Sequence, residues 1–236
     1  MLEIIAETVD DALAAEAGGA TQIDLKSDFM QDGLSPTTGM IDRICHRVDI
    51  DVIAMIRPHT RAFSCSPDDI AVMCTDIKLG REHGAAGFLL GAITPDGRID
   101  RDAVQKFQDA ARELPLNFHL AWQATQDLPQ ALEDLIAAGV YSVRLTGGIG
   151  LGDRAIDNTA AIRAFQEQAA GRIELFLAGG VSAENIETLV RETGVLNAHS
   201  GSPIREPADR SGIVSETKVR ALRTTLDRAV ASVQSE

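Results

Sequence analysis

Short β-rich runs alternate with longer stretches of helical period from one end of the chain to the other. The strand candidates are Leu2–Ala6, Gln22–Lys26, Asp51–Ile56, Gly87–Leu90, Leu116–Leu120, Ser142–Thr146, Ile173–Ala178 and Leu196–His199. Helical period fills the intervals, as in Thr8–Ala17, Pro67–His83, Arg101–Leu114 and Leu128–Ala138. Asn158–Ala170, Ala183–Glu192 and Glu216–Val233 continue the pattern. Strands that alternate with helices through short connections, with no hairpin signals between them, require a parallel sheet. Eight such units in 236 residues approach the size of a closed barrel, which typically takes about 250. The alternative is an open doubly wound sheet, but no GxGxxG follows the first strand. No linker or shift in composition divides the chain. The fold expected is α/β: a single (β/α)8 TIM barrel over residues 1–236.

Helix punctuation agrees. Ser66 before Pro67 with Asp69 three residues on, Ser182 before Ala183, and Ser215 before Glu216 are candidate N-caps. Gly18, Gly84, Gly139, Gly171 and Gly194 each stand where a glycine closes a helix. Thr94-Pro95-Asp96-Gly97 reads as a type I turn near the barrel mouth.

Composition narrows the function. The formal net charge is −13, with one Trp, one Tyr and seven Phe. That field repels a phosphate backbone or an anionic leaflet, and no aromatic platform offsets it. Nucleic acid and membrane are therefore not expected partners; a small-molecule ligand is, and a homo-oligomer stays open. The first eleven residues carry acids and no Lys or Arg, unlike a signal peptide. No apolar run approaches the ~18 residues that span a bilayer. Cys45, Cys65 and Cys74 form no CxxC pair, so a cytoplasmic location without disulfides is expected.

Strand side chains alternate between the helix layer and the barrel interior. Leu2, Ile4, Ile23, Leu25, Phe118, Leu120, Val143 and Leu145 fall on the helix-facing side. The opposite face is polar: Glu3, Asp24, Lys26, Asn117, His119, Arg144, Thr146, Asn197 and His199, with Arg57 in phase just past the third strand and Glu174 in the seventh. Unpaired charges inside a barrel cost several kcal/mol each. These residues are therefore either a structural ion-pair plug or a functional site, and several lie at C-terminal strand ends, where barrel active sites sit.

The candidate catalytic residues are His119, Asp24, Lys26, Glu3 and His199. His119 and His199 suit acid–base work or metal ligation. Lys26 beside Asp24 is either an ion-paired lysine or a Schiff-base former. His59 lies near the mouth, whereas His46 and His83 read as surface helix residues. Arg57 and Arg144, always protonated, suit binding of an anionic or carbonyl-bearing ligand. Gly179 and Gly180 after the seventh strand, with Ser200 and Gly201 after the eighth, occupy the usual barrel phosphate position. Thr146 completes the expected ligand-binding set.

In order along the chain, LEI (Leu2–Ile4), IDL (Ile23–Leu25), GLSP (Gly33–Pro36), MIRP (Met55–Pro58) and ITPDGRID (Ile93–Asp100) are followed by FH (Phe118–His119) and ALEDLIAAGV (Ala131–Val140). LT (Leu145–Thr146), GVSAEN (Gly180–Asn185) and AHS (Ala198–Ser200) close the series. Together they resemble the CutC family of copper homeostasis proteins, which implies a (β/α)8 barrel and a copper role. The chain departs from the family pattern in three places. Lys26 stands where the family's ELC has its cysteine, and Ser64 stands at the usual cysteine of RPRGGDFCYS, with Cys65 one place later. Leu120-Ala121-Trp122-Gln123 loses the Arg and Asp of FHRAFD. Copper(I) prefers soft ligands. Only Cys65, Cys74, Met73 and Met55 approach that role, which argues against direct copper binding.

Three readings follow. The leading one is an enzyme-like pocket for a small anionic or sugar-like metabolite, with isomerase, lyase or aldolase chemistry. A variant of it places a divalent metal on Glu3 or Asp24 with His119 and His199. The others are a copper-handling protein and a barrel whose charges are merely paired.

Overall fold

The computed structural model describes residues 1–148 and 152–235. Eight parallel strands close into a barrel in sequence order: β1 (Leu2–Ala6), β2 (Gln22–Leu25), β3 (Asp51–Met55), β4 (Gly87–Leu90), β5 (Leu116–Phe118), β6 (Ser142–Leu145), β7 (Glu174–Leu177) and β8 (Asn197–Ser200). The seam is made by β1 and β8, with Glu3 opposite His199. Around it lie α1 (Val9–Ala17), α2 (Thr38–Cys45), α3 (Pro67–Glu82), α4 (Arg101–Ala111), α5 (Leu128–Ala137), α6 (Thr159–Ala169), α7 (Ile186–Thr193) and α8 (Glu216–Gln234). This is the (β/α)8 barrel expected from the alternation. A two-stranded antiparallel piece, β9 (Arg205–Glu206) with β10 (Ile213–Val214), stands between β8 and α8.

Side-chain alternation sorts the strands as the pattern requires. Leu2, Ile4, Ile23, Leu25, Phe118, Val143 and Leu145 are buried among the helices. A much smaller apolar group, Ile53, Met55 and Leu89, fills one side of the lumen. Capping follows the sequence at α3, where Ser66 and Asp69 form a reciprocal capping box after which Pro67 opens the helix. The turn at Thr94 is present, with Gly97 N–H donating to the Thr94 carbonyl at 2.9 Å.

Several boundaries differ from expectation, each for a local reason. β5 ends at Phe118: His119 N–H still donates to the Leu90 carbonyl at 2.9 Å, but the residue then caps a 3-10 turn over Leu120–Ala124, its Nδ1 accepting from Ala121 N–H. Leu120 therefore turns toward the mouth instead of the helix layer. Helix α7 starts at Ile186, not Ala183, because Ser182 N–H donates to Asn185 Oδ1 in a preceding turn. Ser215 makes no side-chain cap on α8; its hydroxyl reaches Glu206 instead. Gly18 keeps φ −77°, and the left-handed residue closing α1 is Gly19.

Candidate functional site

The floor of the barrel mouth is an ion-pair network centred on Glu3. Arg144 reaches across the lumen and grips both of its oxygens, with Nε 2.9 Å from Oε1 and Nη2 on Oε2. Gln22 Nε2 donates to Oε2 at 2.6 Å, and His199 Nδ1 donates to Oε1 at 2.6 Å. Arg144 places its third nitrogen, Nη1, on Ser142 Oγ at 2.5 Å and stacks its guanidinium 4.6 Å from the Phe176 ring. Burial alone would push the Glu3 carboxyl up; the Arg144 charge and the hydrogen bonds from His199 and Arg144 outweigh it and hold the group well below the usual carboxylate range. Arg144, expected to bind a ligand anion, thus spends its donors inside the protein.

Above this floor a cavity of about 250 Å³ opens at the C-terminal strand ends. Asp24, Lys26, Arg57, His119, Arg144, Gly179, Gly180, His199 and Gly201 all reach its wall. Asp24 is fully buried, and Lys26 Nζ lies 2.7 Å from its Oδ2. The two charges touch, yet neither Asp24 oxygen accepts a properly directed hydrogen bond. His199 Nε2 stands 4.0 Å from the same oxygen. Arg57 gives Nη1 to the carbonyls of Gln31 and Gly33, both at 3.1 Å, and leaves its buried Nε without a partner.

His119 is buried, and its pKa is pushed down to about 3 by that burial and by the nearby charges of Arg57 and Lys26. At neutral pH the imidazole is uncharged. Because Nδ1 accepts from Ala121 N–H, the single proton belongs on Nε2. With Nδ1 engaged, His119 offers a hydrogen-bond donor at Nε2.

Other expected residues lie off the cavity. Thr146 is locked by Gln123, accepting at Oγ1 and donating its N–H, both at 2.8 Å. Ser200 donates its hydroxyl to the Val181 carbonyl at 2.6 Å. Glu174 and Asn197 keep the inward phase but pair with each other at the N-terminal rim, where Asn197 also accepts from the chain's amino terminus. His59 pairs with Asp69 at 3.2 Å, and His83 with Asp42 at 3.1 Å. His46 caps α2 at the surface.

Loops supply wall residues that no strand period could reveal. Phe29 and Asp32 come from the segment after β2, Phe63 from the loop after β3, and Arg210 from the β9–β10 connection. Arg210 reaches Asp32 at 2.5 Å and stacks 5.4 Å from the Phe29 ring.

Among the described residues, Glu3, Asp24 and His199 form one group with metal-ligand atoms within 4.8 Å of one another, and His119 does not join it. The fit to a divalent ion is poor. Both Glu3 oxygens are engaged, an ammonium already sits on Asp24, and the cations Lys26 and Arg144 balance the two carboxylates. The soft ligands are scattered as well. Cys65 Sγ lies 3.8 Å from Met73 Sδ, but Cys74 faces the Lys106 carbonyl and Met55 sits in the lumen layer. Burial, with Asp69 and Asp100 nearby, pushes the Cys65 thiol up to about 11.

These features define a (β/α)8-barrel protein with buried charged residues at the mouth of the barrel. The chain belongs to the CutC family, whose sequence profile matches residues 1–204. It is 34% identical over 199 residues to the human copper homeostasis protein cutC homolog, covering 84% of this chain and 72% of that protein. A CutC family protein of Porphyromonas gingivalis is 35% identical over 199 residues, covering 84% and 79% of the two chains. A crystal structure named for the copper homeostasis protein CutC of Streptococcus agalactiae superposes with a TM-score of 0.80 at 30% identity, covering 85% of this chain and 97% of that one. Among the described residues no helix is long and apolar enough to cross a membrane.

Proposed function

We propose that the mouth cavity is the active site of an enzyme acting on a small anionic, carbonyl-bearing or sugar-like metabolite by proton transfer. The observation that carries this reading is the convergence of Asp24, Lys26, Arg57 and His119 on one cavity, where Asp24 Oδ1 and Arg57 Nε are buried without hydrogen bonds. A buried polar group without a partner costs about 1–3 kcal/mol, and a ligand that supplies the missing partners recovers that cost. In this reading Arg57 holds the anionic group, His119 Nε2–H donates to a carbonyl oxygen, and Asp24 takes a proton from the adjacent carbon. A neutral histidine donor paired with a carboxylate base supports isomerase, lyase or aldolase chemistry. The test is thermal-shift screening of sugars, sugar phosphates and 2-oxo acids. An anionic metabolite at about a hundred times its Kd should stabilise the native state by about 2.7 kcal/mol. Arg57→Ala should abolish that shift, read against the variant's own ligand-free melting temperature, which is expected to fall with the loss of its bonds to the Gln31 and Gly33 carbonyls. An equal shift in the variant, or none with any compound, would refute the reading.

Copper handling is the second reading, favoured by the approach of Cys65 to Met73 at 3.8 Å and by the names of the relatives. A thiol held protonated is a weak copper(I) ligand, since the thiolate is the ligand form. Copper(I) titration is therefore expected to give the same weak binding in wild type and Cys65→Ser. Tight binding lost in the variant would reverse the order of the two readings.

A further inference from the structure

We propose that Lys26 forms an imine with the carbonyl carbon of a short 2-oxo acid seated in the mouth cavity. The inference rests on the carbonyl-metabolite reading above and gives that site a covalent step and a substrate class.

Four features converge on this lysine. It is only 4% exposed, yet it lines the cavity. Its aliphatic stem lies across Gly33, a residue at φ +94° where a Cβ would collide with Lys26 Cδ. Gly33 is held in place by the bridge of Ser27 with Leu34 and by Arg57 Nη1 on its carbonyl. The stem is thereby fixed and Nζ is delivered to one place, 2.7 Å from Asp24 Oδ2 and 5.8 Å from the Phe29 ring. Asp24 has no hydrogen bond competing for either oxygen, so it can take a proton from the ammonium. Arg57 Nε and His119 Nε2–H remain to receive the carboxylate and the carbonyl oxygen of a 2-oxo acid.

The step balances without a further reactant. One ammonium proton passes to Asp24, and the freed nitrogen lone pair attacks the carbonyl carbon. A C–N bond forms and the carbonyl pair moves to oxygen, which takes a second proton from nitrogen. Asp24 then returns its proton, the C–O bond breaks, and water leaves. Lys26 ends as an iminium carrying the same positive charge as before, so its pairing with Asp24 survives the reaction. An iminium withdraws electrons from the neighbouring carbon, which is what aldolase and lyase chemistry requires.

The chain has four lysines, Lys26, Lys78, Lys106 and Lys218, and Lys78 and Lys106 are exposed. The experiment incubates the folded protein with pyruvate and sodium cyanoborohydride and maps the reduced adduct by peptide mass spectrometry. Selective labelling of Lys26 over the more accessible Lys78 and Lys106 is the expected result. Asp24→Asn should slow that labelling on the order of a hundredfold, the usual worth of a positioned proton acceptor. In Lys26→Arg, which keeps a cation beside Asp24, the selective adduct should vanish. Labelling of Lys78 and Lys106 with Lys26 spared overturns the proposal. A parallel melting curve with pyruvate separates the two failures. Stabilisation without a Lys26 adduct removes the imine and leaves the binding site standing. Absence of both overturns the imine and counts against the carbonyl reading too.

Discussion

Replacing Arg144 with leucine is expected to cost about 3–5 kcal/mol of stability, the usual penalty for removing one partner of a buried pair. Glu3 is fully buried and Arg144 nearly so, and the guanidinium supplies two of the four hydrogen bonds on that carboxylate. Without it, Glu3 keeps only Gln22 and His199. It must then either stay ionised in a low-dielectric lumen or take up a proton at neutral pH. Such a loss is a large share of the 5–15 kcal/mol by which domains are typically stable. Urea denaturation at pH 7 reads it directly. A loss below about 1 kcal/mol would mean that the pair is worth no more than an exposed one. Combining Arg144→Leu with Glu3→Gln should recover much of the penalty, because the orphaned charge is then gone. Recovery would locate the cost in the stranded carboxylate rather than in lost packing against Phe176.

The polar stripe therefore divides in two. Glu3, Arg144, Gln22 and Ser142 are saturated with one another and answer to the structural reading of buried charge. Above them Asp24 meets the Lys26 ammonium at one oxygen, and its other oxygen and Arg57 Nε are buried without hydrogen bonds. His199 joins the layers, its Nδ1 committed to Glu3 and its Nε2 facing Asp24.

The barrel was legible because its signals are local and repeated. A two-residue period marks which face of a strand is inward, and a glycine closes most helices before the next strand. That same period exposed Glu3, Asp24, Lys26, Arg144 and His199 as lumen residues. It could not show which charges meet. Glu3 and Arg144 are 141 residues apart, and only barrel closure brings them together. Phase also fails where a strand gives way to a turn: His119 caps the 3-10 turn that follows β5, so Leu120 faces the mouth although strict alternation puts it outside. Phe29, Asp32 and Arg210 occupy loops with no period at all, and their place on the cavity wall follows from the folding of those loops over the strand ends.

His119 gives the barrel a pH dependence of predictable sign. Its folded pKa is pushed from 6.5 to about 3 by burial and by Arg57 and Lys26. Above pH 6.5 neither the folded nor the unfolded state carries a proton there, and the group costs nothing. As the pH falls below that value the unfolded chain binds a proton that the folded one refuses, so stability drops by roughly 1.4 kcal/mol per pH unit. Glu3 adds to the loss only later. Its carboxyl is depressed in the fold, so its contribution is intact above the ordinary value of 4.5 and fades below it. The window from pH 6.5 to 4.5 therefore isolates the histidine from Glu3. His119→Gln removes the titrating group and should flatten the stability profile there. Relative to wild type it should gain on the order of 2–3 kcal/mol across the window, whatever the constant cost of the substitution. Groups elsewhere that titrate in the same range cancel in this difference. Denaturation of both proteins at several pH values checks it, and parallel profiles would mean that His119 is protonated in the fold. In that case it would meet a ligand carbonyl as an imidazolium, and the neutral-donor role assigned to it would have to be withdrawn.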